Sequence, residues 1–347
     1  MTAQKLFEKK KQFLLKQEFY FLMNVSLRTK LSHQQLKKYK PILVWWNIES
    51  NVLINWNTDI LDEFKDIFFD ANIEYPEINY NESLPWSIEF IERYKDLWRW
   101  LMLIDNPTVM KIPGIKEHFS EQFLPYVEDY PEVFIPGFEK QYWVDPIEWQ
   151  YESIKEISNF DFIDWRLLSH NKRLFWSQEL IEQYQYKLVW SALSSNPTLP
   201  WSVAFIEKYG YRWDWTNLSG NEGVPWTIGL IKKYENKFNW WKHDKNNDNG
   251  TPIGIGISAN QGIKWDKEIL STYINKLNPL DISFSRSAKW DIDLLTQFAD
   301  FWDYQTLASN KIVWDNVFPE FNNAETIDNL LDIILERRIN ELKEKKL

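Results

Sequence analysis

The stretch "LPWSIEFIERYKDLWRW", residues 84–100, places Trp86, Trp98 and Trp100 within one short string. Nearly the same string returns as "LFWSQELIEQYQYKLVW" at 174, "LPWSVAFIEKYGYRWDW" at 199 and "VPWTIGLIKKYENKFNW" at 224. Weaker copies stand at 263, "IKWDKEILSTYINKLNP", and at 288, "AKWDIDLLTQFADFWDY". The anchors Trp176, Trp201 and Trp226 are 25 residues apart, as are Trp265 and Trp290, and Trp314 follows after 24. Trp56 and Trp149 read as degenerate anchors nearer the front, which makes about nine units. Self-similarity at a fixed period of this length marks a repeat architecture.

Each position in the unit has a physical reason. The residue after the anchor is Asn57, Ser87, Ser177, Ser202, Thr227, Asp266, Asp291 or Asp315. All carry a side-chain oxygen that can accept from the open N–H groups of a helix start. Acids follow in the first turn at Glu89, Glu179, Glu268 and Asp293, where the helix dipole favours negative charge. The anchor then precedes the cap, and Ile91, Ile181, Ile206, Ile231, Leu270 and Leu295 stand one turn in, the spacing of a hydrophobic staple. Counted from the anchor, apolar residues at plus 4, 5, 8 and 12 (Phe205, Ile206, Tyr209 and Trp213 in one copy) predict one apolar stripe on a helix of about three turns. Trp100, Trp190, Trp215, Trp240 and Tyr304 recur at plus 14, with Asp214 and Asp303 placed to cap a second, shorter helix. The unit closes on "LSxN" or a close variant: Leu168 to Asn171, Leu193 to Asn196, Leu218 to Asn221 and Ile257 to Asn260. Ser and Asn there suit a turn that bonds its own backbone. Pro85, Pro200 and Pro225 block helix continuation before the next anchor.

One such unit cannot bury its aromatic face alone, whereas stacked neighbours can. The expected fold is all-α: an α-solenoid of a long helix plus a short helix or turn per unit, with helical end caps. The segments expected are an N-terminal helical cap over 1–40, degenerate and first clear repeats over 41–104, and an insertion or degraded repeat over 105–148. Tandem Trp-anchored repeats follow over 149–323, with a loop insertion at 242–256, and the amphipathic stretch 324–347 forms a C-terminal capping helix. The chain resembles tryptophan-rich tandem-repeat proteins of bacteria built from "LPWS…WxW…LSxN" units. The resemblance covers roughly residues 80–104 and 150–316. It implies a repeat fold and implies no activity.

Composition bounds the function. The 347 residues are 44% hydrophobic and 26% charged, which fits a globular chain, and 17% are aromatic, including 21 Trp. The formal net charge is -10. An acidic surface argues against nucleic acid as the main partner and suits a basic protein. With no cysteine, disulfides and thiolate metal sites are excluded. The first residues lack a signal-peptide layout and no apolar run reaches membrane-spanning length, so the expected location is cytoplasmic.

Function in repeat arrays gathers on insertions and exposed faces. In the break at 105–148, Phe134, Phe138, Tyr142 and Trp143 are the candidate exposed aromatics, and His118 with Glu117 and Glu121 is the one conceivable carboxylate–histidine site. The loop at 242–256 brings Trp241 and His243 beside Asp244, Asn246 and Asp248. Its calcium-loop likeness fails, because Gly250 falls one place late and the twelfth position is Ile255 rather than Glu. No phosphate loop or nucleophile elbow occurs, so no cofactor is expected. The leading reading is a non-catalytic protein-binding scaffold, in one version an acidic immunity or antitoxin protein that covers a basic toxin. The alternatives are a nucleotide or carbohydrate binder that uses the non-repeated Trp45, Trp46, Trp143 and Trp241 as platforms, and an enzyme with its site in 105–148.

Overall fold

The computed structural model describes residues 2–70, 72–126, 165–240 and 256–345. Every regular element among them is helical, and most helices are short. The chain divides into two compact units, residues 1–142 with 318–347, and residues 143–317.

In the second unit the expected caps form as the residue types dictate. Ser177, Ser202, Thr227 and Asp291 each accept from the backbone N–H three residues on, and Asp266 accepts from Glu268 and Ile269. Asp214 and Asp303 cap the second helices Trp215–Ser219 and Tyr304–Ser309. Each cap contributes roughly 1 kcal/mol. The anchor helix is shorter than its apolar stripe predicts. It spans Val203–Lys208 in one copy and Gln178–Tyr184 in another. A turn follows, in which Arg212 N–H bonds Tyr209 O and Lys187 N–H bonds Tyr184 O. The plus 12 residue therefore lies beyond the helix. Trp213 folds back over that turn and donates its Nε1–H to Ile206 O at 3.0 Å. Its ring lies 5.0 Å from the anchor Trp201 and 5.4 Å from Phe205, centre to centre. The stripe is a small aromatic core closed by a turn, and the length of the helix plays no part in it.

The plus 14 ring joins one repeat to the next. Trp190 lies 5.0 Å from Tyr209 and 4.8 Å from Trp213, and Trp215 lies 4.4 Å from Tyr234 and 5.7 Å from Phe238. Edge-on and tilted pairs of this kind add roughly 0.5–1.5 kcal/mol each beyond area burial. Trp314 departs from the expected anchor role. The helix there runs Lys311–Val317, so Trp314 and Asp315 are both inside it, and Asp315 caps nothing. This copy is one residue short, and its helix starts directly after Asn310.

In the first unit the same frame reaches further than the anchors suggest. Trp56 keeps the cap and the apolar stripe, with Asn57 capping the helix Thr58–Phe68 and Ile60, Leu61, Phe64 and Phe68 buried at plus 4, 5, 8 and 12, although Asp70 stands at plus 14. Ser32 and Gln35 form a capping box on His33–Tyr39, with Leu31 in the anchor place. Trp45 then packs on Phe64 and Phe68 at 4.9 and 5.6 Å, as a plus 14 ring does. Trp45 is thus part of the frame, which removes it from the platform candidates. Past residue 105, Lys111 takes the anchor place. Ile115, Phe119 and Phe123 are buried at plus 4, 8 and 12, and Trp100 lies 5.0 Å from Phe119 and 5.3 Å from Phe123. The first part of the break at 105–148 thus continues the repeat. The terminal helices pack together within this unit. Tyr39 Oη donates to Asp332 at 3.0 Å, Lys10 pairs with Glu320 at 2.7 Å, and Phe7 stacks on Phe321 at 5.0 Å.

Candidate functional site

The structure consumes the conserved positions of the repeat in holding the frame. The asparagine of "LSxN" is buried in every described copy. Asn221 Nδ2 donates to Ser194 O at 2.8 Å and to Asn196 O at 3.1 Å, one repeat back. Its Oδ1 accepts from Gly223 N–H at 2.9 Å, and its own carbonyl accepts from the anchor Trp226 Nε1–H at 2.8 Å. Asn196, Asn260 and Asn310 repeat the pattern, and Asn51 and Asn81 do so in the first unit. The serine acts in parallel. Ser194 Oγ donates to Trp190 O at 2.7 Å and accepts from Asp214 N–H at 2.9 Å. This ladder answers where the carbonyls at the ends of the short helices find donors. The Nε1–H groups of Trp56, Trp86, Trp176, Trp201, Trp226, Trp265 and Trp290 are spent on the same asparagine carbonyls or on Ser285 O. A ligand could not take them without opening the fold.

One described rung is acidic. Glu49 stands in the serine place and is 3% exposed. The short helix it serves, Glu77–Tyr80, begins behind Pro76, which has no N–H to give. The longer glutamate side chain instead accepts from Ile78 N–H at 3.2 Å. Burial pushes this carboxyl up to about 7, and the Glu77 charge acts in the same direction.

Of the expected site residues, Phe134, Phe138, Tyr142, Trp143, Trp241 and His243 lie outside the described residues, as do Trp149 and the segment 241–255. His118, Glu117 and Glu121 are described. His118 Nε2 lies 3.5 Å from Glu92 of the preceding repeat, not beside Glu117 or Glu121, and its ring packs on Phe119. Among the described residues no group of three His, Cys, Asp or Glu could hold a metal ion, and no helix is long and apolar enough to cross a membrane. Trp46, a platform candidate, is exposed and lies 6.4 Å from Phe19.

The side chains that the frame does not consume lie elsewhere. Phe175 is 85% exposed where the copies at Trp86, Trp201 and Trp226 have Pro and those at Trp265 and Trp290 have Lys. At plus 10, Tyr186 is 85% exposed and Tyr211 is 79% exposed, whereas the other clear copies have Asp or Asn there. Between these tyrosines stands Arg212. Its guanidinium carbon is 5.0 Å from the Tyr186 ring, 5.5 Å from the Tyr211 ring and 5.2 Å from the Trp190 ring. Arg212 Nη1 donates to Gln185 O at 3.0 Å and Nε to Tyr211 Oη at 3.1 Å, so the cluster is held in one geometry. Cation–π contacts of this kind are worth roughly 0.5–1 kcal/mol at exposed sites. The signal was present in the sequence as a disagreement among aligned copies at plus 10. Compared with protein-family models, curated proteins and solved structures, the chain matches none of them.

Proposed function

We propose that the chain is a helical solenoid that serves as a non-catalytic protein-binding scaffold. The observation that carries this reading is the division of labour among its aromatics. The repeated tryptophans, asparagines and serines are tied into the frame, whereas Phe175, Tyr186 and Tyr211 break the pattern and are 79–85% exposed. Tyrosine and arginine held in one geometry are the side chains that anchor protein interfaces, and these rings contribute little to the core. The ladder between neighbouring repeats supports the solenoid part of the reading, because it makes each repeat depend on the next.

The net charge of -10 favours long-range attraction of a basic partner. An immunity or antitoxin protein that covers a basic toxin is one specific form of this reading, and the cytoplasm is the compartment that suits it. The test is capture of partners by the full chain beside the variant carrying Tyr186→Ser and Tyr211→Ser. A partner retained by the parent chain and lost by the variant supports the scaffold. Equal recovery by both, or no specific partner at low or high salt, overturns it.

A further inference from the structure

Two rows of cations run along the second unit, and they differ in how they are neutralised. The first row, at plus 7, is paired with acids at plus 6 of the preceding repeat: Lys208 with Glu182, and Lys233 with Glu207 at 2.5 Å. The second row, at plus 11, is Lys187, Arg212, Lys237 and Lys276. Each of these lies over a tryptophan of the repeat before it: Lys187 over Trp165 at 5.1 Å, Arg212 over Trp190 at 5.2 Å, Lys237 over Trp215 at 5.0 Å and Lys276 over Trp240 at 5.1 Å. Lys276 also meets Glu235 at 3.7 Å. Lys187, Arg212 and Lys237 have no carboxylate within ion-pair distance among the described residues. An acidic chain therefore carries three consecutive cations that no acid among the described residues compensates, and the two exposed tyrosines flank the middle one.

We propose that Tyr186, Arg212 and Tyr211, with Lys187 and Lys237 on either side, bind an acidic peptide segment of a partner protein. A carboxylate of that segment takes the guanidinium of Arg212, which the tyrosine rings already hold in place, so little side-chain entropy is lost on binding. The lysines add attraction to neighbouring carboxylates, and the tyrosine rings cover the apolar parts of the segment. A nucleic acid is the weaker occupant, because a chain of net charge -10 repels a continuous row of phosphates. The local charge of this surface is opposite to that of the whole chain, so it fits a partner whose own charge is unevenly distributed. The proposal rests on the scaffold reading and names the chemistry of one docking site within it.

The experiment is fluorescence anisotropy of a short labelled oligo-glutamate peptide against the full chain at low salt. Labelled oligo-lysine and oligo-thymidylate of equal length run in parallel. Oligo-glutamate is expected to bind. Arg212→Ala is expected to weaken it by about tenfold or more, the size of one lost charged hydrogen bond. The pair Tyr186→Ser and Tyr211→Ser, at exposed positions that leave the core intact, is expected to weaken it likewise. Lys289→Ala, at a lysine already paired with Asp266, is expected to leave it unchanged. Three results overturn the proposal: no binding of oligo-glutamate, binding indifferent to Arg212 and the tyrosines, or tighter binding of oligo-thymidylate. A partner captured as above that depends on the tyrosines, beside oligo-glutamate that does not bind, overturns this inference alone and leaves the scaffold standing.

Discussion

Replacing Asn221 by alanine removes one rung of the ladder, and the cost can be worked from its contacts. Three hydrogen bonds disappear: two donated to Ser194 O and Asn196 O, and one accepted from Gly223 N–H. Asn196 O keeps a donor, because Trp201 Nε1–H already bonds it at 3.0 Å. Ser194 O is left without its donor at a site where the side chain was 2% exposed, whereas Gly223 is exposed and water can reach its N–H. An orphaned buried polar group costs about 1–3 kcal/mol, and an N–H that water can reach adds little, so the expected cost is about 1–3 kcal/mol. Asn217, four residues earlier and half-buried, is the comparison. It bonds Ser191 O at 3.1 Å and its own cap residue Asp214 at 3.2 Å, and alanine there is expected to cost under about 1 kcal/mol because water can replace the lost partner. The assay is urea denaturation followed by tryptophan fluorescence, with the slope checked for constancy so that the midpoint reports stability. A loss below about 0.5 kcal/mol for Asn221→Ala, or one no larger than that for Asn217→Ala, refutes the assignment of the ladder as the main polar tie between repeats.

Glu49→Gln tests the one acidic rung. The carboxyl goes from 4.5 to about 7 on folding, so its favourable contribution is full below 4.5 and is lost as pH rises through about 7. Glutamine keeps the acceptor for Ile78 N–H and removes the charge. It is expected to flatten the fall in stability between pH 5 and 8, by up to about 3 kcal/mol, measured by denaturation across that range. Gly223→Ala places a methyl 2.1 Å from Pro197 O on the neighbouring repeat, so a loss of about 1–3 kcal/mol or more is expected in the same assay. Trp201→Phe keeps a ring beside Phe205 and Trp213 but gives up the bond to Asn196 O, and about 1–2 kcal/mol of destabilisation is expected. Removing Lys233, whose pair with Glu207 is exposed, is expected to change stability by under about 0.5 kcal/mol.

Local chemistry was legible in the sequence, and long-range chemistry was not. A serine or aspartate after a tryptophan, followed by an acid, says "helix start" within four residues, and the caps at Ser177, Ser202, Asp266 and Asp291 are where that chemistry puts them. The three-turn anchor helix forms at Thr58–Phe68 but in none of the described copies of the second unit, because residues that share a face at helical spacing also meet when the chain turns back, as Trp213 does on Trp201. The asparagine of "LSxN" bonds its own turn as expected, but its amide reaches carbonyls 25 and 27 residues back, which no local window shows. Two repeats were hidden because Leu31 and Lys111 hold the anchor place, although Tyr39, Phe119 and Phe123 keep the spacing behind them. The candidate binding surface was visible as Tyr186 and Tyr211 among Asp and Asn at plus 10. A difference at one position between good copies is a weaker signal than the long break at 105–148, which interrupts the period itself.

The most direct test of the division between frame and surface is the affinity of the captured partner for the chain carrying Tyr186→Ser and Tyr211→Ser, with its melting temperature recorded on the same sample. The expected result is an unchanged melting temperature and an affinity reduced by about tenfold or more, since interface tyrosines commonly contribute over 1 kcal/mol each. An affinity equal to that of the parent chain contradicts the account, because the aromatics that depart from the repeat would then carry no binding.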